Sequence, residues 1–177
     1  KKFDFIYAGV QKNLGPAGVV LIVAKKSMLE KSPDALPTMF KYNTFLKKDS
    51  LYNTPPAFCI YMAGKTAAWI KKQGGLEEMA KRNKKKADLL YSVIDASNGF
   101  YNGHADKDSR SFMNVTFRLP TEELEKKFIA EALEHELSGV KGHRSVGGMR
   151  ASIYNAMPYE GVQALCDFME SFQKANG

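Results

Sequence analysis

Residues 17–24, AGVVLIVA, form a short and nearly unbroken apolar, β-branched run. It is far shorter than the roughly 20 residues a membrane-crossing helix needs, and it has no polar face. The structure it fits is a strand buried on both faces inside an α/β sheet. Just ahead of it, 9–16 reads GVQKNLGP, a loop by its glycine and proline content. Lys12 is therefore expected on a loop set against a central strand.

The rest of the chain follows an α/β pattern. Residues 27–50 hold proline and turn clusters with little periodicity and are expected to be mostly irregular, with a short helix around 28–31. Pro55-Pro56 should open a helix over 57–72 that Gly74-Gly75 ends. A second helix is expected over 76–97, with Leu76, Met79, Ala80, Ala87, Leu90, Val93 and Ile94 on its apolar side and Asn98-Gly99 as its stop. Beyond a polar loop at 102–108, a smaller α/β arrangement is expected. It comprises a strand over 111–119, a helix over 122–138 capped by Thr121 and stopped by Gly139, a strand over 150–154, and a last helix over 160–174. The expected domain division is 1–99 and 100–177. Trp69 is read as core.

Composition narrows the function classes. With 44% hydrophobic and 25% charged residues, the chain has the profile of a globular protein with a core. No apolar run is long enough for a transmembrane helix, and the first residues lack the stretch of a signal peptide. A soluble, cytoplasmic protein is expected, and an organelle transit peptide ahead of residue 1 stays compatible with that. The formal charge of +7 and the run KRNKKK at 81–86 raise nucleic-acid binding. The run has no interleaved aromatics and lies in a helical pattern, so it is read as a solvated helix face. A basic surplus also suits small anionic substrates. Cys59 and Cys166 lie in separate helix-like runs and are expected to be buried and reduced. His104 and His135 have no partner at ligand spacing and no HExxH occurs, so no metal is expected. There is no GxxxxGK[ST] phosphate loop and no GxSxG elbow.

Three segments could carry chemistry. A lysine on a glycine-flanked loop can form an imine once desolvated, although most loop lysines are plain surface charges. In 142–150, GHRSVGGMR, two arginines bracket a glycine pair beside a histidine, a set suited to carboxylate or phosphate. A surface ion pair with a structural turn accounts for the same residues. In 50–56, SLYNTPP, Asn53 and Thr54 stand ahead of a helix start, where an anion could be held or an ordinary cap made.

Taken together, YAGVQKNLGPAG (7–18), LYNTPP (51–56) and GHRSVGGMRASIYNAMP (142–158) resemble the phosphoserine aminotransferase family. The resemblance runs through the whole chain and covers roughly the second half of the family's usual length. It implies a fold type I pyridoxal 5'-phosphate enzyme. This chain would supply the end of a large domain with a mostly parallel sheet, together with a small C-terminal α/β domain. By the same resemblance Lys12 holds the cofactor as an imine and Gln11 contacts the cofactor phosphate. Asn53 and Thr54 reach the phosphate of the partner subunit's cofactor. His143 and Arg144 lie at the substrate phosphate across a homodimer interface, and Arg150 binds the substrate α-carboxylate. The implied reaction moves an amino group between L-glutamate and 3-phosphohydroxypyruvate, giving O-phospho-L-serine and 2-oxoglutarate. Two alternatives remain: another aminotransferase or a desulfurase of the same fold type, against which the HRSVGG string argues, and a non-catalytic basic binding module.

Overall fold

The computed structural model describes residues 2–177 and divides into two compact units, one reaching to Lys72 and the other spanning Gln73–Gly177.

In the first unit, the glycine- and proline-rich stretch after residue 9 folds the chain back, and the β-branched runs on either side pair. Strand β1 (Phe5–Gly9) lies antiparallel to β2 (Val20–Ala24), from Phe5 opposite Ala24 to Gly9 opposite Val20. The ladder continues one step into the loop, where Val10 N–H donates to the Val19 carbonyl. The expectation of a strand buried on both faces is not met here. Val20 is 59% and Val23 69% exposed, because a two-stranded ribbon has only part of each face covered within its unit. Val10, at the start of the loop, is fully buried. The irregular segment expected after β2 contains helix α1 (Lys26–Leu29), a single 3-10 turn at Thr38–Phe40, and helix α2 (Tyr42–Leu46). Tyr42 packs on Phe5, their ring centres 5.1 Å apart. Helix α3 (Ala57–Lys72) follows the proline pair as expected, opened by the Ile60 N–H donating to the Pro56 carbonyl. Trp69 is half-buried.

The second unit has an aromatic core. Helix α4 (Gly75–Ala96) begins after Gly74 in left-handed conformation and stops where Asn98 and Gly99 take positive φ. Its buried stripe is not the expected one. Leu76 is 80% exposed and Ala80 is on the surface, whereas Asn83 and Lys86, expected on a solvated helix face, are buried. Positions 79, 83, 86 and 90 fall on one side of a 3.6-residue helix, and position decides burial over residue type. The cost of burying an ammonium is offset by full hydrogen bonding. Lys86 Nζ donates to the carbonyls of Ile153, Tyr154 and Met157 at 3.1, 2.7 and 2.9 Å. Burial pulls its pKa below the ordinary lysine value. A neutral amine has only two N–H groups, so the three carbonyls favour the charged form.

The polar loop expected at 102–108 begins with a short strand, β3 (Asn102–Gly103). It joins β4 (Asn114–Arg118) and β5 (Met149–Ser152) in an antiparallel sheet ordered β3-β4-β5. Helix α5 (Glu122–Glu134) is capped by Thr121, whose hydroxyl accepts from Leu124 N–H at 3.2 Å. It ends before Gly139, the expected stop, because Glu136 takes the left-handed turn. Leu137 N–H then returns to the Ala132 carbonyl and Glu136 N–H to that of Leu133, the pairing of a Schellman end. Helix α6 (Tyr159–Asn176) packs on α4 and buries Val162, Leu165, Cys166, Met169 and Phe172. Phe117, Phe128 and Tyr101 meet edge to face at 5.5–6.1 Å between ring centres, and Phe168 and Phe172 complete the cluster. Both cysteines are free; Cys59 is half-buried, and burial pushes the Cys166 thiol up to about 12. No helix among the described residues is long and apolar enough to cross a membrane.

Candidate active site

The lysine loop is shaped by its backbone. Lys12 N–H donates to the Val10 carbonyl at 2.8 Å and Leu14 N–H to the same oxygen at 3.3 Å, so residues 11–14 wind into a tight turn above buried Val10. Gln11 and Lys12 lie on its exposed side. Gln11 folds back over Gly9, its Oε1 lying 2.4 Å from where a Cβ on that glycine would be. Further along, the loop rests on α3. The Cys59 thiol donates to the Ala17 carbonyl at 3.1 Å, and a Cβ on Gly15 would meet Ala63 N at 3.3 Å.

Asn53 and Thr54 are exposed just ahead of α3. Asn53 Nδ2 donates to the Thr54 carbonyl at 3.1 Å, turning the amide along the chain.

In the second unit, the segment 142–150 makes a loop that runs into β5. His143 Nδ1 and Ser145 Oγ are 2.7 Å apart, and the His143 carbonyl accepts from both Val146 N–H and Gly147 N–H. Gly142 N–H closes the neck on the Gly148 carbonyl at 2.7 Å. His143 and Arg144 stand exposed on this loop. Arg150 sits on β5 opposite Thr116, half-buried, its N–H held by the Val140 carbonyl at 2.7 Å. Its Nε is buried with no hydrogen-bond acceptor among the described residues. Native proteins rarely leave such a donor unpaired, and a guanidinium in this state is suited to receive a carboxylate. The structure thus carries His143 and Arg144 on a loop and Arg150 on the strand it runs into, with Gln11 and Lys12 on one turn of the first unit.

Sequence reasoning overlooked Arg118 and Glu125. Arg118, at the end of β4, donates to the Val146 carbonyl of the loop and lies 3.4 Å from the Glu125 carboxylate. Gly147 and Gly148 were legible as a turn, but nothing local to them names the strand residue they rest on. Among the described residues no group of His, Cys, Asp or Glu could hold a metal ion.

Residues 1–165 match the family described as Aminotransferase class-V. The chain is 62% identical over 177 residues to a phosphoserine aminotransferase of Desulfatibacillum aliphaticivorans, covering 99% of this chain and 49% of that protein. Among solved structures it superposes on the phosphoserine aminotransferase of Bacillus circulans subsp. alkalophilus with a TM-score of 0.96 and 54% identity. That match covers 99% of this chain and 48% of the other. With a PLP-bound phosphoserine aminotransferase from Trichomonas vaginalis the TM-score is 0.88 and the identity 38%, over 94% of this chain and 48% of the other. The chain spans about half the length of the curated relatives it matches.

Proposed function

The chain belongs to the class-V aminotransferase family, and from that premise we propose that it is part of a phosphoserine aminotransferase. The intact enzyme would use pyridoxal 5'-phosphate to move an amino group between L-glutamate and 3-phosphohydroxypyruvate. The high identity to phosphoserine aminotransferases over the whole chain supports this reading. The domain division at 99/100, a homodimer with shared sites and a cytoplasmic setting belong to the same proposal.

The residues fit the cofactor by the chemistry of their donors. Lys12 offers a primary amine for an aldehyde, Gln11 an amide for a phosphate, and Asn53 and Thr54 further neutral donors of the kind phosphates accept. When bound, the cofactor acts as an electron sink for the substrate α-carbon. Lys12 would anchor it through its amine, and a free Lys12 amine would hold the proton moved at the substrate α-carbon. Gln11 orients the cofactor phosphate, while Asn53 and Thr54 serve the phosphate of the neighbouring subunit's cofactor. Arg150 holds the substrate α-carboxylate. His143 and Arg144 face the substrate phosphate, and an unphosphorylated analogue would leave them poorly satisfied.

The observation that carries this assignment is the division of labour along 142–150, with exposed His143 and Arg144 on the loop and Arg150 on the strand with a buried, unpaired Nε. Losing a charge-assisted hydrogen bond costs about 1.5–3 kcal/mol, roughly ten- to 150-fold. In the intact enzyme, Arg144→Ala should lower kcat/KM for phosphoserine by that factor and for glutamate much less, since the glutamate side-chain carboxylate engages only part of the phosphate site. Arg150→Ala should lower both. Steady-state kinetics of the two half-reactions decide the point, and equal losses in Arg144→Ala would overturn the phosphate assignment.

A further inference from the structure

We propose that Arg118 is the positioning residue of the anion-binding loop, a brace beneath 143–148 that sets His143 and Arg144 for the phosphate. The proposal rests on the phosphate reading of that loop and goes beyond it by assigning a role to a residue outside the loop. Arg118 is the last residue of β4, and its side chain runs under the two glycines. A Cβ on Gly147 would lie 3.0 Å from its Nη2 and 3.3 Å from its Nη1. A Cβ on Gly148 would lie 3.1 Å from its Cδ and 2.8 Å from the Phe117 carbonyl oxygen. Both glycines have positive φ, 78° and 64°. The loop therefore lies directly on the arginine, and at Gly148 a side chain would meet the Phe117 carbonyl, a backbone atom that cannot swing aside.

Two contacts fix the brace. Nη2 donates to the Val146 carbonyl, and Nη1 faces Glu125, with Oε2 at 3.4 Å and Oε1 at 3.5 Å. Glu125 is itself held: it is 8% exposed, and its Oε1 accepts from Leu119 N–H at 3.4 Å. One end of the guanidinium is thus tied to the rigid β4–α5 corner and the other to the loop. The loop's own bonds, from Val146 and Gly147 to the His143 carbonyl, define its turn, and its neck is closed onto β5 by Gly142 N–H to the Gly148 carbonyl and Arg150 N–H to the Val140 carbonyl. Beyond that neck, Arg118 is the side chain that ties the tip of the turn, at Val146, to β4.

The test uses the full-length enzyme containing this chain, with Arg118→Met and Arg118→Lys each confirmed as folded by cofactor absorbance. Arg118→Met should raise KM for phosphoserine about tenfold, the lower end of the effect of a lost charge-assisted bond, and KM for glutamate several-fold less. Arg118→Lys should fall between it and the parent. Amide exchange at Val146 and Gly147 should quicken in Arg118→Met while that of Val115 and Phe117 in β4 stays slow. An unchanged phosphoserine KM, equal losses for both substrates, or unchanged exchange at Val146 and Gly147 overturns the proposal. If Arg118→Met does not fold, Arg118→Lys carries the same comparisons. Should Arg144→Ala discriminate the substrates while Arg118→Met does not, the brace fails alone; if neither discriminates, the phosphate reading falls with it.

Discussion

In β2, the side chains of Val20, Leu21, Ile22 and Val23 stand on the surface, whereas in β4 Val115 and Phe117 are buried, with α4 packed on the strand and Phe117 against Phe128 of α5. Both strands are five residues long, but β2 is apolar throughout, VLIVA, while β4 alternates, NVTFR, with Val115 and Phe117 as its apolar positions; the difference in burial lies in what each unit lays over these side chains. The second unit has helices whose aromatic faces close on one another. The first has a two-stranded ribbon and a helix on which Phe58, Ile60 and Tyr61 are also exposed. Apolar β-branched faces of this kind are stable only when covered. The chain spans about half the length of the curated relatives it matches.

The largest expected effect tests the self-contained side of this comparison. Phe128 is fully buried at the centre of the aromatic cluster. Phe128→Ala should destabilise the second unit by about 3–5 kcal/mol in urea unfolding of this chain, the usual cost of emptying a phenylalanine site. Val23→Ala in the same chain should change stability by no more than about 0.5 kcal/mol, as for a surface position. Similar costs at both positions would break the contrast.

That contrast was only partly legible beforehand. The boundaries of α3 and the stop of α4 follow from proline and glycine signals that act within a few residues, and the structure agrees with both. The covering of β2 depends on residues distant in sequence or outside this chain, which an apolar run cannot reveal. The run at 81–86 differs for another reason: its helical pattern reads as one solvated face, but six residues span more than a full turn, so Asn83 and Lys86 fall on the buried side. In the candidate site, the lysine and arginine strings carried a family resemblance. Arg118 carries no local signal, because its partners, Glu125 on α5 and Val146 on the loop, meet it only through the fold.

A smaller effect refines the account of the second unit at its surface. Arg110 donates to both oxygens of Asp95 at 2.8 and 2.6 Å and lies over the Tyr91 ring. These hydrogen bonds hold the Asp95 carboxyl below its ordinary value of 3.8. With the folded value below the unfolded one, the pair's contribution is present above about pH 4 and is lost as pH falls through the lower folded value. The pair is partly exposed, so the contribution should be under about 1 kcal/mol. Urea unfolding between pH 5 and pH 2 should show a shallower acid loss in Asp95→Asn. An identical slope in the variant would remove the pair from the account of this unit's stability.

The measurement that most directly tests the central claim is borohydride reduction of the intact enzyme followed by peptide mapping of the retained cofactor. The account predicts a single modified residue, Lys12, on the turn above Val10, and no retained cofactor in Lys12→Ala. Modification of a different lysine, or undiminished retention in the Lys12→Ala enzyme, would contradict it.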